Sequence, residues 1–385
     1  MMMSASPPST IPAPPERIPP GVLAARDYER LAEQCIPADR LAYIAGGSGE
    51  DWTARANSAA FGRWSIVPRV LRDLRTGHTR VRIAGEVWAQ PIGLAPVAFQ
   101  KLVHPRGERE TARAAAATHS PLLLSTLATT PLEEVAGLLS PEAGQPRPWL
   151  QLYLQPRRED TLALLRRAEA AGYGAIVLTL DASIQLASHR ALRAGFRMPA
   201  DCVPAHGSIG VPASALPAGA SRIFQGAMAQ SARHEDLAWL RGATTLPVWV
   251  KGVLDPADAR ALADAGCAGI VVSNHGGRTV DGVAPSLSLL PAVREAIGSH
   301  VPLLFDGGIR SGADVFKALA LGANAVLVGR LQLYALAAAG ALGVAHLLQL
   351  LGEELQACMA VAGCASVADI GPDRLLAVPD FNAIP

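Results

Sequence analysis

The stretch from Pro302 to Arg330, PLLFDGGIRSGADVFKALALGANAVLVGR, decides the architecture. Its first apolar run, Pro302 to Phe305, is too short for a globular helix and apolar enough to be a strand buried on both faces. Ser311 then reads as a helix N-cap, and Gly322 stops the helical period that follows. A second apolar run, Ala325 to Val328, ends at Gly329. Strand, helix, strand is the repeating unit of a parallel sheet.

Working outward, the same rhythm begins near Pro91. Runs at Pro91 to Val97, Leu122 to Ser125, Trp149 to Leu154, Ala175 to Leu180, Val248 to Lys251 and Gly269 to Ser273 precede the two already named. Helical stretches separate most of them, one opened by Asp255 with Pro256 at its first position and stopped by Gly266. Eight units predict an α/β protein with a closed (β/α)8 TIM barrel rather than an open doubly wound sheet. The gap from Ser183 to His234, after the fourth strand, is rich in Pro, Ala and Gly and predicts an elaborated loop over the barrel mouth. Upstream, Asp27 to Gly46 is helical in pattern, with Pro37 opening a second helix. The expected organisation is a disordered Pro-rich tail over 1–20, a helical extension over 21–80, the barrel over 81–375 with the loop at 183–234, and a C-terminal tail over 376–385.

Lys plus Arg number 34 and Asp plus Glu 33, a formal net charge of +1, which lacks the basic excess of a nucleic-acid binder. Half the residues are hydrophobic and 17% charged, enough apolar surface to offset the entropy of ordering. The five cysteines are odd in number and widely spread, without the short spacings of a zinc site or redox dithiol, so no metal is expected. They read as buried thiols of a reducing compartment, the cytoplasm, and the N-terminus has no secretory pattern. Leu331 to Leu351 carries no formal charge and would span a bilayer by length. Its polar interruptions and its place after a strand predict instead a helix buried against a large core, and no membrane partner is expected.

In such a barrel the C-terminal strand ends converge on one face, where polar residues are functional candidates. A lone glycine pair is only a tight turn, with Asp306 as a cap. Here Gly307, Gly308 and Arg310 follow the seventh strand, and Gly329 and Arg330 the eighth. Two such groups match the phosphate pocket of this fold, where backbone N–H groups, helix dipoles and guanidinium charge converge on an anion. His275 is the acid/base candidate, because imidazole exchanges a proton near neutral pH, with Arg278 close by. Asp181, at the fourth strand exit, suits its partner, although a turn aspartate is nearly as good a reading. Lys251 ends a buried strand, where an ammonium requires an anionic neighbour. Gln151 and Thr179 offer hydrogen bonds to a heteroaromatic edge, and Ala95 to Ala98 a surface for the ring. Together they describe a phosphorylated ring cofactor across the mouth.

The segments APVAFQKLVHPRGE, QLYLQPRR, LTLDAS, VKGVLDPADA, GIVVSNHGGRTVD, LLFDGGIRSGADVFKALALGANAVLVGR and the late AGC resemble the FMN-dependent α-hydroxy acid oxidases and dehydrogenases, the group of glycolate oxidase, lactate oxidase and mandelate dehydrogenase. The resemblance runs from about Tyr28 to about Ile370, and its SNHGGR and DGGIRSG motifs are specific. It implies FMN, with Gly307, Gly308, Arg310, Gly329 and Arg330 on the phosphate and Asp306 near the ribityl chain. It implies Ser125, Gln151, Thr179 and Lys251 on the ring, the backbone of Pro96, Val97 and Ala98 near N5, and Ser273 near the ribityl hydroxyls. Tyr43, Tyr153 and Arg278 match positions that bind a substrate carboxylate, with His275 the active-site base and Asp181 its partner.

The implied reaction is oxidation of an L-2-hydroxy acid to the 2-keto acid, with electrons passed to O2 or another acceptor. A homo-oligomer, a tetramer by resemblance, is expected. The chain departs from its relatives in three places. Leu127 stands where many carry an aromatic residue, Val97 where they often have Thr, and Ser188 where they usually have Arg, with Arg190 matching a second arginine of some relatives and a candidate substrate contact. Two alternatives stay open: an FMN-barrel isomerase of the isopentenyl-diphosphate type, and a flavin-binding paralogue with weak or no turnover. The particular hydroxy acid, the electron acceptor and the hydride or carbanion route are not legible in the sequence.

Overall fold

The structure is a computed structural model that describes residues 11–139, 144–207, 216–217 and 219–378. The barrel strands, β1 to β8 in chain order, are Ile92–Leu94, Leu123–Ser125, Trp149–Leu152, Ala175–Thr179, Val248–Val253, Gly269–Val272, Leu303–Asp306 and Ala325–Val328. All eight lie within or overlap the runs read from the sequence. Their order is β1-β8-β7-β6-β5-β4-β3-β2, every pairing parallel. A parallel bridge between Leu94 and Leu122 joins β1 to β2 and closes the barrel.

Strand residues of one parity fill the interior. Leu123, Trp149, Val177, Trp249, Val271, Leu304 and Leu327 form that core with Ile83 and Trp88. The last two come from a hairpin, Val81–Ile83 with Glu86–Trp88, whose Glu86 holds Arg147 just before β3 and so plugs the N-terminal end. Trp149 packs 4.8 Å from Trp249 and 5.6 Å from Trp88, centroid to centroid. Gly269 is required here, because a Cβ on it would lie 2.2 Å from the Trp249 ring. The opposite parity packs against the helices in a second, larger core.

Helix signals also hold. Asp255 accepts from the backbone N–H groups of Ala257 and Asp258 to open Pro256–Asp264, and Ser311 accepts from Asp314 N to open Gly312–Ala320. The apolar segment expected to be a buried helix is part of Arg330–Ala362, broken at Ala339 and Gly340. Glu110 accepts from Ala341 N at the break. By length and hydropathy this helix is long and apolar enough to cross a membrane, but 67% of its most apolar window is buried within the protein. It packs on helices Asp27–Cys35, Glu108–Ala117 and Gly312–Ala320.

The extension comprises helices Asp27–Cys35, Ala38–Ala45 and Trp52–Ala59, then strand Trp64–Ile66. That strand pairs antiparallel with Leu375–Ala377, so the expected boundary at 375/376 falls inside an element that closes the chain on itself. Residues 11–20 form no helix or strand. The tail expectations over 1–10 and 379–385, and part of the loop at 208–215 and 218, lie outside the described residues. The rest of the loop contains helix His189–Arg193 and a π-helical turn, Arg222–Gly226.

Candidate active site

Strand alternation that buries Trp149, Val177 and Trp249 in the barrel puts Gln151, Thr179 and Lys251 one layer higher, at the C-terminal mouth. There they line a cleft of about 1230 Å3, its open mouth included. Every candidate residue except Asp181, Arg190 and Ser273 lines it. Ser273 sits behind the wall, accepting from Lys251 Nζ at 2.8 Å and from His275 N at 3.0 Å. Arg190 is exposed on helix His189–Arg193 and does not form part of the wall. Ser188 caps that helix through Ala191 N.

The floor is a chain of polar contacts. Ser125 donates to Gln151 Oε1 at 3.1 Å and Gln151 Nε2 donates to Thr179 at 3.0 Å. Lys251 Nζ meets Asp306 Oδ2 at 3.0 Å, the anionic neighbour that a buried ammonium requires. The second oxygen, Asp306 Oδ1, is buried without a protein partner.

His275 follows β6 with φ +57°, a conformation uncommon outside glycine, and Gly276 and Gly277 continue at +64° and +76°. This turn points the imidazole inward. Its Nδ1 lies 3.0 Å from Asp181 Oδ1, and its Nε2 is 3.5 Å from the Tyr153 hydroxyl. Burial acts to raise the Asp181 carboxyl, but the charge and hydrogen bond of His275, with Lys251 beyond, outweigh it and hold the group below the ordinary carboxylate range. Burial, reinforced by the Asp181 charge, pushes the Tyr153 phenol up, so it stays protonated. The sequence reading missed Gly252, whose absent Cβ would lie 2.3 Å from Asp181 Cγ and which therefore admits that carboxylate.

Three guanidinium groups define the cationic side. Arg278 Nη1 donates to the Tyr43 and Gly46 carbonyls at 2.9 and 3.0 Å, and its Cζ is 4.8 Å from the Tyr43 ring centroid. Arg330 donates to the carbonyls of Ile44, Gly46 and Gly276, and desolvation brings it down to about 10, still cationic at neutral pH. Arg310 is held by Glu29 through Nε at 2.9 Å and Nη2 at 3.2 Å, a pairing the sequence did not reveal. Asn57 is a third residue the sequence did not reveal. It exchanges amide hydrogen bonds with Asn274 at 2.8 and 2.9 Å, and its backbone carbonyl would lie 2.3 Å from a Cβ on Gly308. The helical extension is thus clamped onto the glycine-rich exits of β6 and β7.

These features fit a phosphorylated flavin. Gly307 and Gly308 hold φ of +117° and +81°, leaving backbone N–H groups open to an anion beside Arg310 and Arg330. The orphaned Asp306 oxygen suits a ligand hydroxyl. The amide and hydroxyl row of Ser125, Gln151 and Thr179 suits a heteroaromatic edge, and Lys251 an anionic ring position.

Comparisons with known proteins agree. The family described as FMN-dependent dehydrogenase matches residues 32–377. An L-lactate oxidase of Alicycliphilus denitrificans is 62% identical over 94% of this chain and 99% of its own length. A 4-hydroxymandelate oxidase of Amycolatopsis orientalis is 43% identical, over 89% of this chain and 94% of its own. A mandelate oxidase crystal structure superposes with a TM-score of 0.82 at 42% identity, covering 92% of this chain and 98% of that one. The chain belongs to the FMN-dependent dehydrogenase family and is an FMN-dependent enzyme of 2-hydroxy acid oxidation.

Proposed function

We propose that this enzyme oxidises L-lactate, or an L-2-hydroxy acid of similar size, to the 2-keto acid and passes the electrons to O2, with His275 as base. The observation that carries the reading is the meeting of His275, Asp181 and Tyr153 with Arg278 and Tyr43 at one end of the cleft. Support for the substrate and acceptor comes from the 62% identity to a protein named L-lactate oxidase and the 45% identity to another, from Roseobacter sp..

FMN, when bound, supplies a two-electron acceptor. Arg278 and the Tyr43 hydroxyl fix the carboxylate by charge and hydrogen bonding. The Tyr153 phenol, held protonated, donates a hydrogen bond to the reacting oxygen. His275 Nε2 takes a proton from the substrate while Asp181 holds Nδ1–H and stabilises the imidazolium. Lys251 places positive charge on the floor where negative charge develops.

The isomerase alternative requires a diphosphate subsite, whereas these residues suit a carboxylate. The binding-only alternative would rest on Ser188 in place of the usual Arg, but Ser188 caps a helix outside the cleft wall and leaves the His275–Asp181 pair intact. Location in the cytoplasm and assembly as a homo-oligomer belong to the same proposal; the five cysteines, all free, are consistent with a reducing compartment.

The test is anaerobic reduction of the bound flavin across a hydroxy-acid panel, then exposure to air. L-lactate is expected to bleach the flavin fastest, and air to restore it with formation of hydrogen peroxide. A flavin untouched by every acid would refute the reading; one reduced but not reoxidised by air would refute the acceptor alone.

A further inference from the structure

With Arg310 and Arg330 read as phosphate contacts, Arg278 is the cleft-lining guanidinium left for the carboxylate, so the affinity of that site depends on how well Arg278 and Tyr43 are held in advance. The chain after β4 supplies the hold. Leu186 N donates to Thr279 O at 2.9 Å, Gly49 N to Ala187 O at 3.2 Å and His189 N to Gly49 O at 3.1 Å, laying this segment along the turn after helix Ala38–Ala45. The approach is close because Ser188 is small and residue 46 is glycine: a Cβ on Gly46 would lie 2.5 Å from Ser188 Oγ. Glu50 clasps the same segment, accepting from Arg193 at 2.7 and 2.9 Å and lying 2.8 Å from His189 Nδ1. Farther along, Phe196 stacks on Tyr43 with centroids 4.3 Å apart and planes at 12°. Tyr43 is thereby flanked by Phe196 and the Arg278 guanidinium.

We propose that Phe196 is a positioning residue of the carboxylate site, setting Tyr43 and Arg278 in their binding orientation, and that Glu50 fastens Phe196 there through Arg193 and His189. The inference rests on the reading of Tyr43 and Arg278 as carboxylate contacts. A ring stacked on one face of Tyr43 removes its rotational freedom without touching substrate. Ser188 in place of a longer side chain is then a condition of the docking rather than a lost function.

The experiment uses the FMN-loaded full chain, with L-lactate as substrate and pyruvate as a carboxylate probe followed by perturbation of the flavin spectrum. Phe196→Ala is expected to raise the KM for L-lactate and the Kd for pyruvate about tenfold, with kcat falling less than about threefold, the signature of lost binding rather than lost chemistry. Phe196→Tyr, which keeps the ring, is expected to stay within about twofold of wild type. Glu50→Gln is expected to move both constants in the direction of Phe196→Ala by a smaller factor, and carries the test if the alanine variant fails to fold. Unchanged KM and Kd in Phe196→Ala, or in Glu50→Gln where that variant stands in, would overturn the proposal. So would a fall in kcat alone. Wild type that neither binds pyruvate nor oxidises a hydroxy acid would instead bring down the carboxylate reading, a result distinct from the variants.

Discussion

The imidazole Nδ1 of His275 and the carboxylate Oδ1 of Asp181 lie 3.0 Å apart, and that contact fixes the tautomer which leaves Nε2 free to accept a proton. Asp181→Asn keeps the shape and removes the charge, and is expected to slow flavin reduction by about 10²–10⁴ with FMN retained. Stopped-flow absorbance under anaerobic conditions measures it. A loss below about threefold would remove Asp181 from the chemistry.

Lys251 and Asp306 face each other at 3.0 Å in a buried floor, so removing one strands the other. Lys251→Met is expected to cost about 3 kcal/mol in urea unfolding, within the range for breaking a buried pair. The double variant Lys251→Met, Asp306→Asn is expected to regain part of that stability but none of the rate of flavin reduction. Equal recovery of both would assign the lysine a structural role only.

Gly308 combines φ +81° with a Cβ direction that meets the Asn57 carbonyl at 2.3 Å. Gly308→Ala is expected to destabilise by roughly 2 kcal/mol or more, from left-handed strain plus overpacking, and to weaken FMN retention. Equilibrium dialysis against FMN, together with thermal unfolding, checks both parts.

His206, a buried residue of the loop after β4 with Nε2 2.9 Å from the Thr130 carbonyl, is driven from its ordinary 6.5 to about 4, by burial first and Arg167 second. The unfolded chain binds the proton more readily, so its contribution to stability is complete above pH 6.5 and is lost as pH falls toward 4. Thermal midpoints between pH 7 and pH 4 should fall less steeply in His206→Gln than in wild type. Identical slopes would mean that other groups dominate this window.

Much of this was legible in the sequence because the barrel strands are buried on both faces and therefore read as uninterrupted apolar runs. The strand exits were legible for the complementary reason: Lys251, Asp306 and His275 are polar residues where apolar ones would pack more cheaply. What escaped were contacts between segments distant in the chain. Glu29 on Arg310 and Asn57 on Asn274 join positions 281 and 217 residues apart, and nothing local in either helix announces its partner. The pairing of Leu375–Ala377 with Trp64–Ile66 escaped likewise, since three exposed or half-buried residues make no readable pattern. Arg190 is exposed on the short helix His189–Arg193, a placement that linear spacing does not encode.

The indoles of Trp88, Trp149 and Trp249, packed edge-on and tilted inside the barrel, lie one layer below the polar row of Gln151, Thr179 and Lys251. Their ultraviolet emission overlaps the absorption of an oxidised isoalloxazine, so the protein carries its own optical gauge of occupancy. Bound FMN is expected to dim the tryptophan fluorescence and its removal to brighten it, a readout that needs neither label nor turnover.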